Sequence, residues 1–460
     1  MDGTHVRRVT TPPETMPPPA PRFGEASVDR SAPGSVPSTL DTTRGTGVTG
    51  KADAPVGWRT YFKHKFDLQT ENKDSFRVYT RRGGEEVDNA SGGAPETSPA
   101  NTKNRAPIKT LVLFAHGCGY TGLSWAVCVD ALACRLGNET LLAAFDARGH
   151  GKSCGNAEQN YSGDSEKNKN DSVNFSAHRL ARDVLDVTKE LLRVCSVSST
   201  GAGTGAGAGA TSTSATRTRL SAGAYQNDAR SNSRNNPTEP RRPVNVVFVG
   251  HSMGGAVAAR AASLFESGGR ENDSDITQET KSTVTSLRAD PDQNQFVLAG
   301  VVVVDVVEGT AVASLPAAEL AVSKIPKSFG TIKSAIEWSL KAGVTSNVTS
   351  AQVSTPSRLV LVETNPDKYY VWRTEIGATA KYWNGWFSGL SSVFLSNPKL
   401  PKLLVVAQTD RLDTELTIAQ MTGLFQLVVV PNTGHAIHED NPRAVAVAVD
   451  RFLKRFVGGK

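Results

Sequence analysis

Short aliphatic runs alternate along this chain with segments whose apolar residues recur three and four apart. Residues 110–115 (TLVLFA), 140–145, 244–249, 297–304, 402–407 and 426–430 are runs of Val, Leu, Phe and Ala with little polar alternation. Such runs are strands covered on both faces, as in a parallel sheet. Between them, residues 123–136, 177–195, 253–265, 414–424 and 442–456 carry apolar positions at helical spacing. Upstream, DSFRVYTRR from Asp74 alternates apolar with polar and predicts one strand of an antiparallel hairpin. Strand–helix alternation of this kind builds an α/β domain, with a mostly parallel sheet flanked by helices.

The alternation is interrupted at definite places. Residues 1–55 are rich in Pro, Thr and Gly without periodicity and predict a disordered tail. Polar inserts occupy 82–106, 155–175, 196–243 (with GAGTGAGAGATSTSAT) and 267–293, all between predicted elements, where added loop length costs little entropy. Residues 311–398 read as a mostly helical cap holding Trp338, Trp372, Trp383 and Trp386. Residues 56–460 are therefore one domain with expanded loops. Composition agrees: 38% hydrophobic residues, with 41 Gly and 24 Pro in 460, is a normal core diluted by polar segments.

Charge and cysteine usage exclude several classes. A net charge of +6, with no basic block interleaved with aromatics, makes nucleic acid a poor partner. The longest apolar run, Phe296–Val304, stops at Asp305, far short of the ~20 residues a membrane-crossing helix needs. The N-terminus lacks the apolar segment of a secretory signal. Five cysteines without CxxC spacing read as reduced thiols in a cytoplasmic or nuclear protein, with no metal site.

The chemistry concentrates where strands end. VNVVFVGHSMGG runs a buried strand into G-x-S-x-G, with Gly250, Ser252 and Gly254 in place and a helical pattern following at once. In a nucleophile elbow the serine sits on a strained strand-to-helix turn whose flanking residues have to be minimal. That turn exposes the Ser252 hydroxyl and aims the Met253 amide at a developing oxyanion. His116-Gly-Cys-Gly follows the strand at 110–115, where hydrolases of this architecture carry the second oxyanion donor. The Cys118 amide is the candidate, with Gly117 next. His435, in PNTGHAIHED after the last strand, is the candidate base, with His438 its rival. His251 reads as a packed neighbour pointing away from Ser252, and His116 as a residue that shapes its loop. Two carboxylates compete for the acid: Asp305 ends VVVVD, and Asp410 ends AQTD with Asp413 close by. Position alone leans to Asp410.

Further segments resemble one family. VVVVDVVEGTAV at 301–312, AIEWS at 335–339, YWNGWFSGL at 382–390, DRLD at 410–413 and GHAIHED at 434–440 are similar to the protein phosphatase methylesterase family, as are DSFRVY at 74–79, LSWAV at 123–127 and GHSMGGA at 250–256. The resemblance spans about 58–456 and skips the inserts. It implies an α/β-hydrolase fold and a serine esterase, without cofactor, that demethylates the C-terminal leucine methyl ester of the protein phosphatase 2A catalytic subunit. It also implies Asp305 as the acid, overriding Asp410, and a triad that becomes aligned on engaging the phosphatase, which leaves the register of Asp305 and His435 in the free chain open. Two positions depart from the family pattern: Cys118 in the glycine-rich loop, and Tyr120 where a His is usual.

The tryptophans of the cap, Trp338, Trp383 and Trp386 above all, are candidates for a peptide groove. Two other readings share the same residues: a small-ester hydrolase or lipase, and a regulator that binds the phosphatase without turnover. Dehalogenases and epoxide hydrolases with an Asp nucleophile are disfavoured by Ser252.

Overall fold

The computed structural model describes residues 54–87, 106–153, 173–197, 243–267, 296–364 and 366–458. Nearly all of the expected tail, and most of each expected insert, lies outside them. The chain opens with the hairpin β1 (His64–Gln69) and β2 (Ser75–Arg82), then β3 (Thr110–Ala115), α1 (Ala126–Ala133), β4 (Thr140–Phe145) and α2 (Ala177–Val197). Next come β5 (Val244–His251), α3 (Met253–Ser267) and β6 (Phe296–Val304). The helix expected over 123–136 is shorter, because a 3-10 turn, Gly122–Trp125, capped by the Thr121 side chain, precedes it.

Between β6 and the next strand of the main sheet lie α4 (Glu308–Ser323), β7 (Ser328–Phe329), α5 (Ile332–Lys341), α6 (Val348–Ser357), β8 (Leu359–Glu363), β9 (Lys368–Trp372), α7 (Ala380–Phe387) and α8 (Leu390–Leu395). The region expected to be helical therefore also holds a small antiparallel sheet, ordered β7-β9-β8. LVLVE and KYYVW are β-branched and aromatic, which suits a half-buried strand better than a helix. The chain closes with β10 (Lys402–Val406), α9 (Thr414–Met421), β11 (Gln426–Val429), α10 (Ile437–Asp440) and α11 (Pro442–Phe456).

The main sheet is ordered β1-β2-β4-β3-β5-β6-β10-β11. β1 and β2 pair antiparallel, β2 joins β4 antiparallel, and every pair from β4 onward is parallel. The central strands are buried on both faces, which explains their uninterrupted aliphatic sequence. One face packs on α2, α3, α7 and α8, the other on α1, α11 and Val353 of α6. α11 shows how the pattern works. Asn441 caps it by accepting from the Ala444 amide, and Pro442 occupies the first turn, where no backbone donor is missed. Its Val445, Val449, Phe452 and Leu453 then all face the sheet. Each such side chain contributes about 1.5–3 kcal/mol by leaving water.

Parallel strands end on the same edge. The loops after β3, β5, β6, β10 and β11 therefore converge there, and they carry Cys118, Ser252, Asp305, Asp410 and His435. Among the described residues no helix is long and apolar enough to cross a membrane.

Candidate active site

Ser252 follows directly on β5 with φ at 52°, in the left-handed region that non-glycine residues rarely occupy. Its amide donates to Val304 O of the neighbouring strand at 3.0 Å, which holds the turn tight against β6. The glycines of the motif are a packing requirement. A Cβ on Gly250 would meet Gly254 O at 2.0 Å, and one on Gly254 would meet Ala115 O at 2.4 Å. Only with both side chains absent does α3 start this close to β5 and β3.

Asp305 ends β6 and is also left-handed, with φ at 50°. Its amide donates to Val405 O at 2.8 Å. Oδ1 accepts from the Ala407 amide at 3.3 Å; Oδ2 accepts from His435 Nδ1 at 2.9 Å and from Arg411 Nη1 at 2.8 Å. Burial opposes charge on this carboxyl, but the His435 bond and the Arg411 guanidinium outweigh it and hold the Asp305 pKa below the ordinary carboxylate value. The bond to Asp305 places the imidazole proton on Nδ1 and leaves Nε2 to accept.

His435 arrives on the loop after β11. Asn432 turns the chain with φ at 60°, and the Gly434 amide donates to Asp440 Oδ2 at 2.7 Å. Asp305 and His435 thus stand in register in the free chain. Among the described residues the Ser252 hydroxyl makes no hydrogen bond, so the link from nucleophile to base is not closed.

The competing assignments separate by environment. His438 is fully buried between Trp125 and His251, with ring centroids 4.2 and 4.4 Å away, and burial pulls its pKa down to about 3. It is a packed neutral ring. Asp410 is exposed in the 3-10 turn Thr409–Arg411, and its neighbour Arg411 is the residue that reaches Asp305. Asp413 caps α9 through the Leu416 amide. His251 is fully buried and packed against His435 and His438, as expected of a packed neighbour, and it does one thing more. Its Nε2–H donates to the carbonyl of His435 at 2.8 Å, so the residue before Ser252 fastens the loop that brings in His435. Nothing in the spacing reveals this, because the partner lies 184 residues away.

The loop His116–Thr121 sits over the elbow. A Cβ on Gly117 would come within 2.8 Å of His251 Nδ1 and 3.3 Å of Ser252 Cβ. Tyr120 N–H and His116 Nδ1–H both donate to Gly117 O, at 3.1 and 2.7 Å, while His116 Nε2 accepts from the Ala147 amide at 2.8 Å. The Gly119 amide is taken by His150 Nε2 at 3.0 Å. Among the described residues, the Gly117 and Cys118 amides are left without an acceptor. Because the peptide is planar, fixing Gly117 O fixes the opposite direction for the Cys118 N–H. The Met253 amide, at the start of α3, is one of the first-turn donors without an intrahelical partner. The Cys118 thiol lies 3.4 Å from Thr379 Oγ1, and burial pushes it up to about 11, so it is not a nucleophile at neutral pH.

The tryptophans divide. Trp383 and Trp386 are only 6% and 1% exposed, with their indole N–H groups donating to Thr379 Oγ1 and Phe175 O. They are core residues that tie α7 to the turn before it and to the segment leading into α2, not an open groove, as expected of large rings whose polar atom is satisfied. Trp338 packs with Phe329 and Trp372 in a separate aromatic cluster on the small sheet.

Comparison with known proteins bears on what this geometry serves. The alpha/beta hydrolase family matches residues 112–449. Protein phosphatase methylesterase 1 of Bos taurus is 31% identical over 466 aligned residues, covering 92% of this chain and 92% of its own. The Homo sapiens protein of that name is 31% identical, covering 92% and 91%. That of Gibberella zeae is 30% identical, covering 88% of this chain and 76% of its own.

Proposed function

The chain belongs to the alpha/beta hydrolase family and, within it, to the protein phosphatase methylesterase family, and from that premise we propose that it is a serine esterase that removes the methyl ester from the C-terminal leucine of the protein phosphatase 2A catalytic subunit. Ser252 Oγ gives its proton to His435 Nε2 and attacks the ester carbonyl. Asp305 holds the imidazole in the needed tautomer and balances the imidazolium that forms. The Met253 and Cys118 amides donate to the tetrahedral oxyanion; one such donor is worth about 2.7–4 kcal/mol. His435 then delivers its proton to the departing methoxide, which leaves as methanol. Water, deprotonated by the same imidazole, cleaves the acyl-serine and releases the leucine carboxylate.

The observation that carries this reading is the 2.9 Å bond between His435 Nδ1 and Asp305 Oδ2, made at the end of the strand next to the one that ends at Ser252. Substrate engagement closes the remaining Ser252–His435 link, so a free methyl-leucine peptide is cleaved more slowly than the intact phosphatase. A fluorophosphonate probe tests the reading. It should attach to Ser252, as located by mass spectrometry of the digested protein, and His435→Ala should prevent attachment. Attachment at another serine, or none, overturns it.

A further inference from the structure

Arg358, the residue after α6, is 6% exposed. Its Nε–H donates to Gly119 O at 2.7 Å, in the loop over Ser252. Its guanidinium lies over the Tyr120 ring at 4.5 Å and over the Trp372 ring at 4.9 Å. Among the described residues it has no carboxylate within ion-pair distance, and its buried Nη1 has no hydrogen-bond partner. A buried guanidinium without a counter-charge is expensive, and proteins keep one where its charge has a use. Glu439 is the carboxyl that interacts with it electrostatically. Burial pushes Glu439 up to about 8, which weakens the balancing charge it offers at neutral pH.

The surrounding geometry says where that charge acts. Gly119 has φ at +75°, and its carbonyl and amide are pinned from opposite sides, by Arg358 and by His150 Nε2. This pinned residue adjoins Cys118, whose amide has no acceptor among the described residues, in the loop whose Gly117 packs against His251 and Ser252. We propose that Arg358 is a positioning residue for ester hydrolysis, one that fixes the Gly119 carbonyl and places a buried positive charge behind the oxyanion donors. The inference rests on the proposed esterase reading, because it assigns Arg358 a part in stabilising the oxyanion formed at Ser252. It differs from a packing role in one respect: the charge favours the anionic tetrahedral state over the neutral ester, so its loss appears in kcat and not in KM.

The experiment uses the full chain with carboxymethylated phosphatase as substrate and phenylboronic acid, whose serine adduct is tetrahedral and anionic, as inhibitor. Arg358→Met fills the space without charge and should lower kcat about 10- to 100-fold, short of the loss of a direct donor. KM should stay within about threefold, and boronate inhibition should weaken by the same factor as kcat. Arg358→Lys keeps the charge and should recover part of both losses. If Arg358→Met melts below the assay temperature, Arg358→Gln takes its place, offering an amide to Gly119 O without a charge. A kcat within threefold of the parent, a loss confined to KM, or a lysine variant no better than the neutral one overturns the proposal. A parent chain that neither demethylates the phosphatase nor takes a fluorophosphonate at Ser252 overturns the esterase reading instead.

Discussion

Ser252 and Asp305 stand side by side, each one residue beyond adjacent parallel strands and each left-handed, with φ at 52° and 50°. His251 and Val304 are the last paired rung of those strands, so the two residues occupy the next position along the same edge. Two non-glycine residues in this conformation cost about 1–3 kcal/mol apiece. Glycine would relieve that cost and remove the hydroxyl or the carboxylate. The edge therefore holds strain at both ends of the proposed triad, with His435 bonded to Asp305.

The acid is the simplest point to test. Asp305→Asn keeps the shape but favours the wrong imidazole tautomer, and kcat should fall about 10⁴-fold. Asp410→Asn, at an exposed position, should leave turnover within about twofold. Steady-state demethylation by the two variants, measured together, decides between them; loss in Asp410→Asn alone would reverse the assignment.

His251 acts through a single hydrogen bond to the His435 backbone. His251→Phe preserves the buried ring and removes that bond, loosening the loop that presents the base. A drop in kcat of roughly 3- to 10-fold, the worth of one neutral hydrogen bond, is expected, with KM nearly unchanged. Kinetics indistinguishable from the parent would return His251 to a packing role.

Arg411 shares Asp305 Oδ2 with His435 and is partly solvent-exposed, with 29% of its side chain accessible. Its charge helps hold Asp305 ionised. In Arg411→Gln the carboxylate pKa rises, and less positive charge opposes protonation of the pair as a whole. The acid limb of the kcat/KM profile should therefore move to higher pH, by less than about one unit because solvent screens the contact. A shift to lower pH would contradict the geometry.

Glu439 gives a stability signature. Burial raises its folded-state pKa from 4.5 to about 8. Between those values the unfolded chain has released the proton and the folded chain keeps it, so this residue lowers stability as pH rises. Glu439→Gln removes that dependence. The variant should gain in Tm relative to the parent between pH 5 and pH 8, by at least about 3 °C in thermal melts. An unchanged difference across that range would mean the carboxyl is not held neutral.

What the sequence reveals, and what it does not, follows physical lines. The elbow is legible because its requirements are local: a run of aliphatic residues, glycines at 250 and 254, and a helix that starts immediately. The sheet is legible for the same reason, since strands covered on both faces need no polar positions. The choice between Asp305 and Asp410 is not, because both end strands on the same edge and only three-dimensional neighbours separate them; the family resemblance, not the spacing, pointed to Asp305. The parts played by Arg358, Arg411 and His251 are invisible for a related reason: their partners lie 239, 106 and 184 residues away. Trp383 and Trp386 could not be placed from sequence, because a large ring with a satisfied N–H looks the same whether it lines a groove or fills a core.

The central claim is that the Ser252 hydroxyl is the atom that attacks the ester. Methyl release from the carboxymethylated phosphatase 2A catalytic subunit, followed with the intact chain and with Ser252→Ala at equal, saturating concentrations, tests it most directly. The intact chain should release methanol catalytically, and the alanine variant should be slower by about 10⁶-fold, as when a triad serine is removed. Demethylation by Ser252→Ala at the parental rate would contradict the account, and so would an intact chain that binds the phosphatase and never turns over.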